Sequence, residues 1–264
     1  MRIAASTSCT RIVGLLLLVG LTLVPAGLGQ ADPNALWNIV HSQCVPNEDQ
    51  HGWPAPCALV ELTKGEASGY AVLKDLVGAT QFLLIPTARI TGIESPALLL
   101  PGAPNYFASA WRSRTYVDGV LGRVLPREDF SLAVNSVLGR SQNQLHIHID
   151  CVRSDVRSVL RQRGATIGDR WAPLDVLLVG HRYTAMRVVG AELDRTNPFK
   201  LLADGLPGAR QDMGRHTLVV VGAAFSNNRP GFIILDDHAD PATGDKAEGE
   251  ELQDHACAVG SLVR

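Results

Sequence analysis

Residues 144–151, Gln-Leu-His-Ile-His-Ile-Asp-Cys, alternate polar and apolar side chains, the pattern of a strand with two unlike faces. Side chains alternate across a strand, so Leu145, Ile147, Ile149 and Cys151 share one face, and Gln144, His146, His148 and Asp150 share the other. The apolar set takes the core and the polar set is presented opposite, by default on the wet side of a sheet. The run FSLAVNS just upstream also reads as a strand, with VLGRSQ as the loop between them, so the pair predicts a hairpin with a long connection.

The same pattern places strands at YAVLKD and at QFLLIP, the second ended by Pro86. Four more are expected at DVLLVG, RYTAMRVV, HTLVVVGAAF and PGFIILDD, the last two joined by Ser226, Asn227, Asn228 and Arg229. Helical spacing covers Asn34 to His41, with Asp32 as N-cap and Pro33 in the first turn, Asn105 to Thr115, and NPFKLLADGL. TARITGIESPALL reads as a loop entering a helix at Ser95 and Pro96, and Arg127 to Asp129 lies near a turn. Hairpin-like spacing without regular βαβ alternation predicts an α+β fold with a largely antiparallel sheet and flanking helices. The acidic stretch from Asp236 to Asp254 reads as a solvated loop without the spacing of a cation-binding loop.

The amino terminus stands apart. Arg2 and Arg11 precede or open an apolar run from Ile12 to Val24, as in an export signal, with a small-residue cleavage site at Gly29-Gln30-Ala31. Extended to Leu28, the run is also about long enough to remain as a membrane anchor. The expected organisation is therefore 1–31 as signal peptide or anchor, and 32–264 as a single exported domain.

Export changes the meaning of the cysteines. Beyond Cys9 there are four, Cys44, Cys57, Cys151 and Cys257, an even number in an oxidising compartment with three possible connectivities. Cys44 and Cys57 flank a turn-rich stretch, which suggests Cys44–Cys57 and leaves Cys151–Cys257. With 264 residues, a formal charge of −2 and no lysine- or arginine-rich block, the chain has no electrostatic footprint for nucleic acid.

His146 and His148 open two kinds of chemistry. His-x-His-x-Asp begins a known zinc-hydrolase pattern, but the position after the aspartate is Cys151 and the other histidines show no ligand spacing. A neutral imidazole can instead attack phosphorus, provided amide or cationic donors surround the non-bridging oxygens. Asn135, Arg140, Gln142 and Asn143, immediately upstream, are donors of that type.

AVNSVLGRSQNQLHIHIDC resembles the core of the histidine-triad superfamily: a strand ending in Asn, a loop, a Gln, then a strand of alternating histidines. Within it, ALWNIVHSQC, PC, QFLLIPTARITGIE, SQNQLHIHIDC and LQDHAC, in that order from Ala35 to Cys257, are similar to the bacterial CDP-diacylglycerol pyrophosphatase family.

The resemblance implies a histidine-triad-like fold elaborated by carboxyl-terminal strands. It also implies hydrolysis of CDP-diacylglycerol, a nucleotide-lipid, to CMP and phosphatidate through a nucleotidyl-histidine intermediate, with no metal or other cofactor required. His148 takes the nucleophile's position and His146 the first histidine's; in a register shifted to Gln144-His146-His148 the nucleophile would be His146. Asn135, Arg140, Gln142 and Asn143 are expected at the phosphates. Asp150 replaces the third histidine, leaves the leaving-group acid unassigned, and needs a donor partner such as Arg140 or Arg153.

A lipid substrate fits an enzyme at a membrane surface, on the exported side of the bacterial inner membrane, or periplasmic or secreted if the signal is cleaved. Trp37, Trp53, Tyr106, Phe107 and Trp111 are candidates for acyl-chain contact, though core packing is the commoner fate of such residues. The alternatives are a hydrolase or transferase of soluble nucleotide diphosphates, a zinc hydrolase using His146, His148 and Asp150, and a silent binding protein.

Overall fold

The computed structural model describes Met1 and residues 32–261. The export or anchor segment, 2–31, lies outside the described residues. Ten strands form one antiparallel sheet: β1 (Leu59–Glu61), β2 (Tyr70–Lys74), β3 (Phe82–Pro86), β4 (Phe130–Val134), β5 (Ile147–Val152), β6 (Ala172–Leu178), β7 (His181–Val189), β8 (His216–Phe225), β9 (Arg229–His238) and β10 (Gln253–Asp254). The order is β1-β2-β3-β5-β4-β8-β9-β7-β6, and the short β10 pairs with the end of β5. The fold is thus α+β, and the predicted β4–β5 hairpin is formed, with Ala133 opposite His148.

The helices are α1 (Ala35–Ile39), which runs through a π-helical turn at Val40–Cys44 into α2 (Val45–His51), then α3 (Tyr106–Ser113), α4 (Thr115–Leu121), α5 (Ser154–Arg163) and α6 (Pro198–Gly205). The first helical segment is longer than its spacing suggested, because Pro46 falls at the start of α2, where its missing N–H costs little. Asn105 caps α3 by accepting from the Ala108 amide, and Asn197 caps α6 by accepting from Phe199. At Ser95 and Pro96 there is only a 3-10 turn, Pro96–Leu99. Helix α5 escaped the periodicity, since only Val156 and Leu160 of its ten residues are buried.

One sheet face carries the main core. Leu145, Ile147, Ile149 and Cys151 pack there with Phe107, Trp111, Phe199 and Leu202 from α3 and α6. Tyr106, Phe107 and Trp111, offered above as acyl contacts, are fully buried in this core; Trp111 meets Phe232 edge-on with centroids 4.8 Å apart. Trp37 stacks on His41, and Trp53 remains exposed.

The opposite face holds two smaller cores. One joins Leu36, Val40, Cys44 and Val45 to Leu83 and Ile85 of β3; the other joins Val156 and Leu160 of α5 to Ala133, Val219 and Leu235. Residues paired directly across strands share a face, and His148 is paired with Leu83 on one side and Ala133 on the other. His148 therefore sits between these cores. The polar row is not on a wet face: His146, His148 and Asp150 are all buried.

What covers the row comes from the carboxyl-terminal end. The acidic stretch is a solvent-exposed loop only over 240–244: Asp236 and Asp237 are buried at the end of β9, and the chain then returns through the 3-10 turn Gly249–Leu252 and β10. Gly249 lies so close to the sheet that a Cβ there would collide with Thr217 Oγ1, which explains glycine at this position. The disulfides are Cys44–Cys57 and Cys151–Cys257, with Cα separations of 5.6 and 5.1 Å, and the second ties the returning segment to β5.

Candidate active site

His146 and His148 lie edge to face with ring centroids 4.8 Å apart. The Nδ1 of His146 is 2.7 Å from the Gln144 carbonyl, which can only accept, so that nitrogen carries the proton. The Nδ1 of His148 faces two groups, the Gln81 amide nitrogen at 2.5 Å and a Glu250 carboxylate oxygen at 3.3 Å. Its Nε2 is buried and has no hydrogen-bond partner. A buried polar atom without a partner is unusual enough to require an explanation.

Glu250 organises the cluster. Its Oε1 accepts from Gln81 at 2.9 Å, and its Oε2 accepts from the Asn135 amide at 3.1 Å. The Asn135 carbonyl in turn accepts from the Glu250 backbone N–H at 3.1 Å. The Nε2 of His255 stands 3.5 Å from the same Oε1 that faces His148.

The Nδ1 of His255 is 2.9 Å from Asp150, whose carboxylate also accepts from the Thr80 hydroxyl at 2.6 Å and the Cys151 amide at 2.8 Å. Asp150 therefore has donor partners, but they are Thr80, the backbone and His255. Arg153 pairs with Asp155, and Arg140 pairs with Glu94 at 2.5 Å.

These surroundings push the two outer imidazoles in opposite directions. Burial drives His148 down to about 3, against the pull of Glu250 and with help from the neighbouring His146 and His255. Burial also lowers His146. The hydrogen bond to Asp150 raises His255, outweighing its partial burial, and the charges of Asp150 and Glu250 add to the rise. Near neutral pH the site thus holds a neutral His148 and, across one carboxylate, an imidazole whose charged form is stabilised relative to an ordinary histidine.

Of the residues singled out by sequence, His146, His148, Asn135 and Asp150 come together here. Gln142 is engaged elsewhere: its carbonyl accepts from Leu36 and its amide donates to the Asp32 carbonyl, which anchors the entrance to α1. The Asn143 backbone donates to Pro33, and its side chain accepts from Arg140 at 3.4 Å. Thr80, Gln81, Glu250 and His255 were missed. A signal for His255 existed, since a bridge from Cys257 to Cys151 brings residue 255 back alongside Asp150; Glu250 had none among its acidic neighbours. No three ligand atoms of His146, His148 and Asp150 converge within 4.8 Å, the spacing a zinc site would need.

The arrangement defines an α+β protein with a largely buried, imidazole-centred polar site, in which two carboxylates and two amides surround the rings. A family model for CDP-diacylglycerol pyrophosphatase (CDH) matches residues 31–261. A CDP-diacylglycerol pyrophosphatase of Yersinia pestis is 42% identical over 249 residues, 93% of each chain. The chain belongs to the CDP-diacylglycerol pyrophosphatase family.

Proposed function

We propose that the protein hydrolyses the pyrophosphate of CDP-diacylglycerol to CMP and phosphatidate, with His148 as nucleophile, in a histidine-triad-like domain spanning 32–264. The observation that carries the mechanism is the buried, unpartnered Nε2 of a neutral His148. The Gln81 amide nitrogen, a donor, stands 2.5 Å from Nδ1, so for Nε2 to attack, that amide must turn away as substrate enters and leave Nδ1–H to Glu250, which frees the lone pair on Nε2.

Nε2 attacks the phosphorus on the cytidine side. A P–N bond forms as the P–O bond to phosphatidate breaks, and the His255 imidazolium gives its proton to the departing oxygen. The positive charge on the nucleotidylated ring is balanced by Glu250. Water then attacks the same phosphorus and yields its proton to His255, and the P–N electron pair returns to Nε2 with release of CMP. Two histidines with oppositely perturbed acidities are the expected arrangement for such a division of labour.

Asn135, Gln81 and Thr80 are the nearest neutral donors to the reacting groups, and His146 orients its neighbour. Arg140, Gln142 and Asn143 shape the loop that precedes β5. Because Nε2 is screened in this structure, substrate must part the side chains over it. A membrane surface as partner is supported by exposed Leu76 and Val77 in the loop that touches His255, and by Val137 and Leu138 just after Asn135. Residues 1–31 would then place the domain on the exported side of the inner membrane, as anchor or as cleaved signal.

The test is CMP release from CDP-diacylglycerol in detergent. Wild-type turnover that vanishes in His148→Asn supports the reading. Turnover that survives both His146→Asn and His148→Asn overturns it.

A further inference from the structure

A second cluster lies at the far end of the returning segment. His181 opens β7, Asp237 is near the end of β9, Asp245 lies in the following loop, and Glu251 is in the 3-10 turn beside Glu250. The Nδ1 of His181 is 3.1 Å from Asp245 Oδ2, 3.6 Å from Asp237 Oδ2 and 3.6 Å from Glu251 Oε1. We propose that His181, Asp237, Asp245 and Glu251 bind one divalent cation of the zinc class, which pins the segment carrying Glu250 to the sheet.

Three observations carry this. First, the spacings fit: zinc bonds of about 2.0–2.1 Å put tetrahedral ligand atoms about 3.3 Å apart. Second, Asp237 is 6% exposed, yet its Oδ2 has no donor and points into the cluster, while His181 Nδ1, 3.1 Å from Asp245, makes no hydrogen bond of good geometry there. Third, the remaining oxygens are already held in place. Asp237 Oδ1 accepts from the His238 amide and Asp245 Oδ1 accepts from the Ala247 amide, while the Tyr183 hydroxyl donates at 2.8 Å to Glu251 Oε1, the oxygen that itself faces His181. Outer partners of this sort orient metal ligands.

Three carboxylates around one imidazole carry more negative charge than a single proton on His181 can balance. Burial, then the charge of Asp245, accordingly pushes Asp237 up to about 7. One nitrogen and three carboxylate oxygens suit zinc or manganese better than calcium, which takes six to eight oxygens. Among the described residues, His181, Asp237 and Asp245 are the group of His, Cys, Asp and Glu whose ligand atoms all lie within 4.8 Å of one another, and Glu251 stands at its edge, 3.6 Å from His181. The ligands come from separate strands and turns, so no local spacing betrays them. The inference stands apart from the proposed catalysis, since none of these four residues takes part in it.

The test uses the full chain in detergent, stripped with a chelator, then given zinc, manganese or calcium chloride alone. Elemental analysis after gel filtration is expected to find one zinc per chain, with a melting temperature raised by about 5 °C or more. Asp245→Asn and His181→Gln should lose both the bound zinc and the shift, while His148→Asn keeps both. Absence of stoichiometric zinc or manganese from the wild type overturns the proposal, as does zinc retained by Asp245→Asn and His181→Gln but lost from His148→Asn. Neither result bears on CMP release, which is scored separately.

Discussion

His148 and His255 face the same carboxylate oxygen of Glu250, at 3.3 and 3.5 Å, from opposite ends of the chain's catalytic region. One ring is buried on β5 and held neutral, whereas the other is half-buried on the returning segment and has its charged form stabilised relative to an ordinary histidine. Under the proposed mechanism, environment alone distinguishes the nucleophile from the proton donor.

The two neighbouring histidines should be unequal. His148→Asn removes the attacking atom and is expected to lower kcat by about 10³-fold or more. His146→Asn removes an orienting ring fixed to the Gln144 carbonyl and should cost about 10- to 100-fold. Steady-state kinetics on both variants checks the order.

His255 should matter in proportion to the leaving group's need for a proton. His255→Asn is expected to slow hydrolysis of CDP-diacylglycerol by about 10²- to 10⁴-fold. It should scarcely slow the burst of nitrophenolate from the nitrophenyl ester of CMP, which reports the first step alone, because that leaving group departs as a stable anion. Equal losses on both substrates would remove His255 from the acid role.

Legibility from sequence followed the range of the interactions. The alternation in residues 144–151 revealed both faces of β5, because strand periodicity is local. That the polar face is buried was invisible, since its cover arrives from residues 249–255, about a hundred positions later. Asp150 illustrates the gap: its need for a donor was clear, but its partners Thr80 and His255 are 70 and 105 residues away, and the nearer Arg140 and Arg153 are taken by Glu94 and Asp155. Gln142 is the converse case, a residue whose type suited phosphate binding and whose position made it the anchor of α1.

The pH dependence of kcat/KM should be bell-shaped and broad. Activity requires His148 unprotonated, and burial places that limb well below an ordinary imidazole, near 3. It also requires His255 protonated, and the bond to Asp150 moves that limb above an ordinary imidazole. Asp150→Asn should shift the alkaline limb downward and leave the acid limb in place. For stability the sign of His148 is the usual one for a buried neutral imidazole. The unfolded chain binds its proton near pH 6.5 and the folded chain near 3, so stability falls as pH drops through that window. Melting curves between pH 7 and pH 4 check this.

The Cys151–Cys257 bridge should be needed for activity as well as for stability. It closes a separation of 106 residues and holds His255 two positions from its anchor, so Cys257→Ser should lower kcat markedly and cost about 4–5 kcal/mol of stability. Cys44–Cys57 closes only 13 residues in the smaller core beside β3, and Cys44→Ser should chiefly lower the melting temperature. Activity and melting of the two variants, measured together, separate the effects.

The most direct measurement is to mix enzyme with CDP-diacylglycerol, quench within milliseconds into alkaline denaturant, digest, and locate CMP on the peptides by mass spectrometry. Cytidylyl modification is expected on His148, absent from His148→Asn and accumulating when His255 is replaced only if the second step slows more than the first. Modification on His146, or turnover with no modified histidine at any quench time, would contradict it.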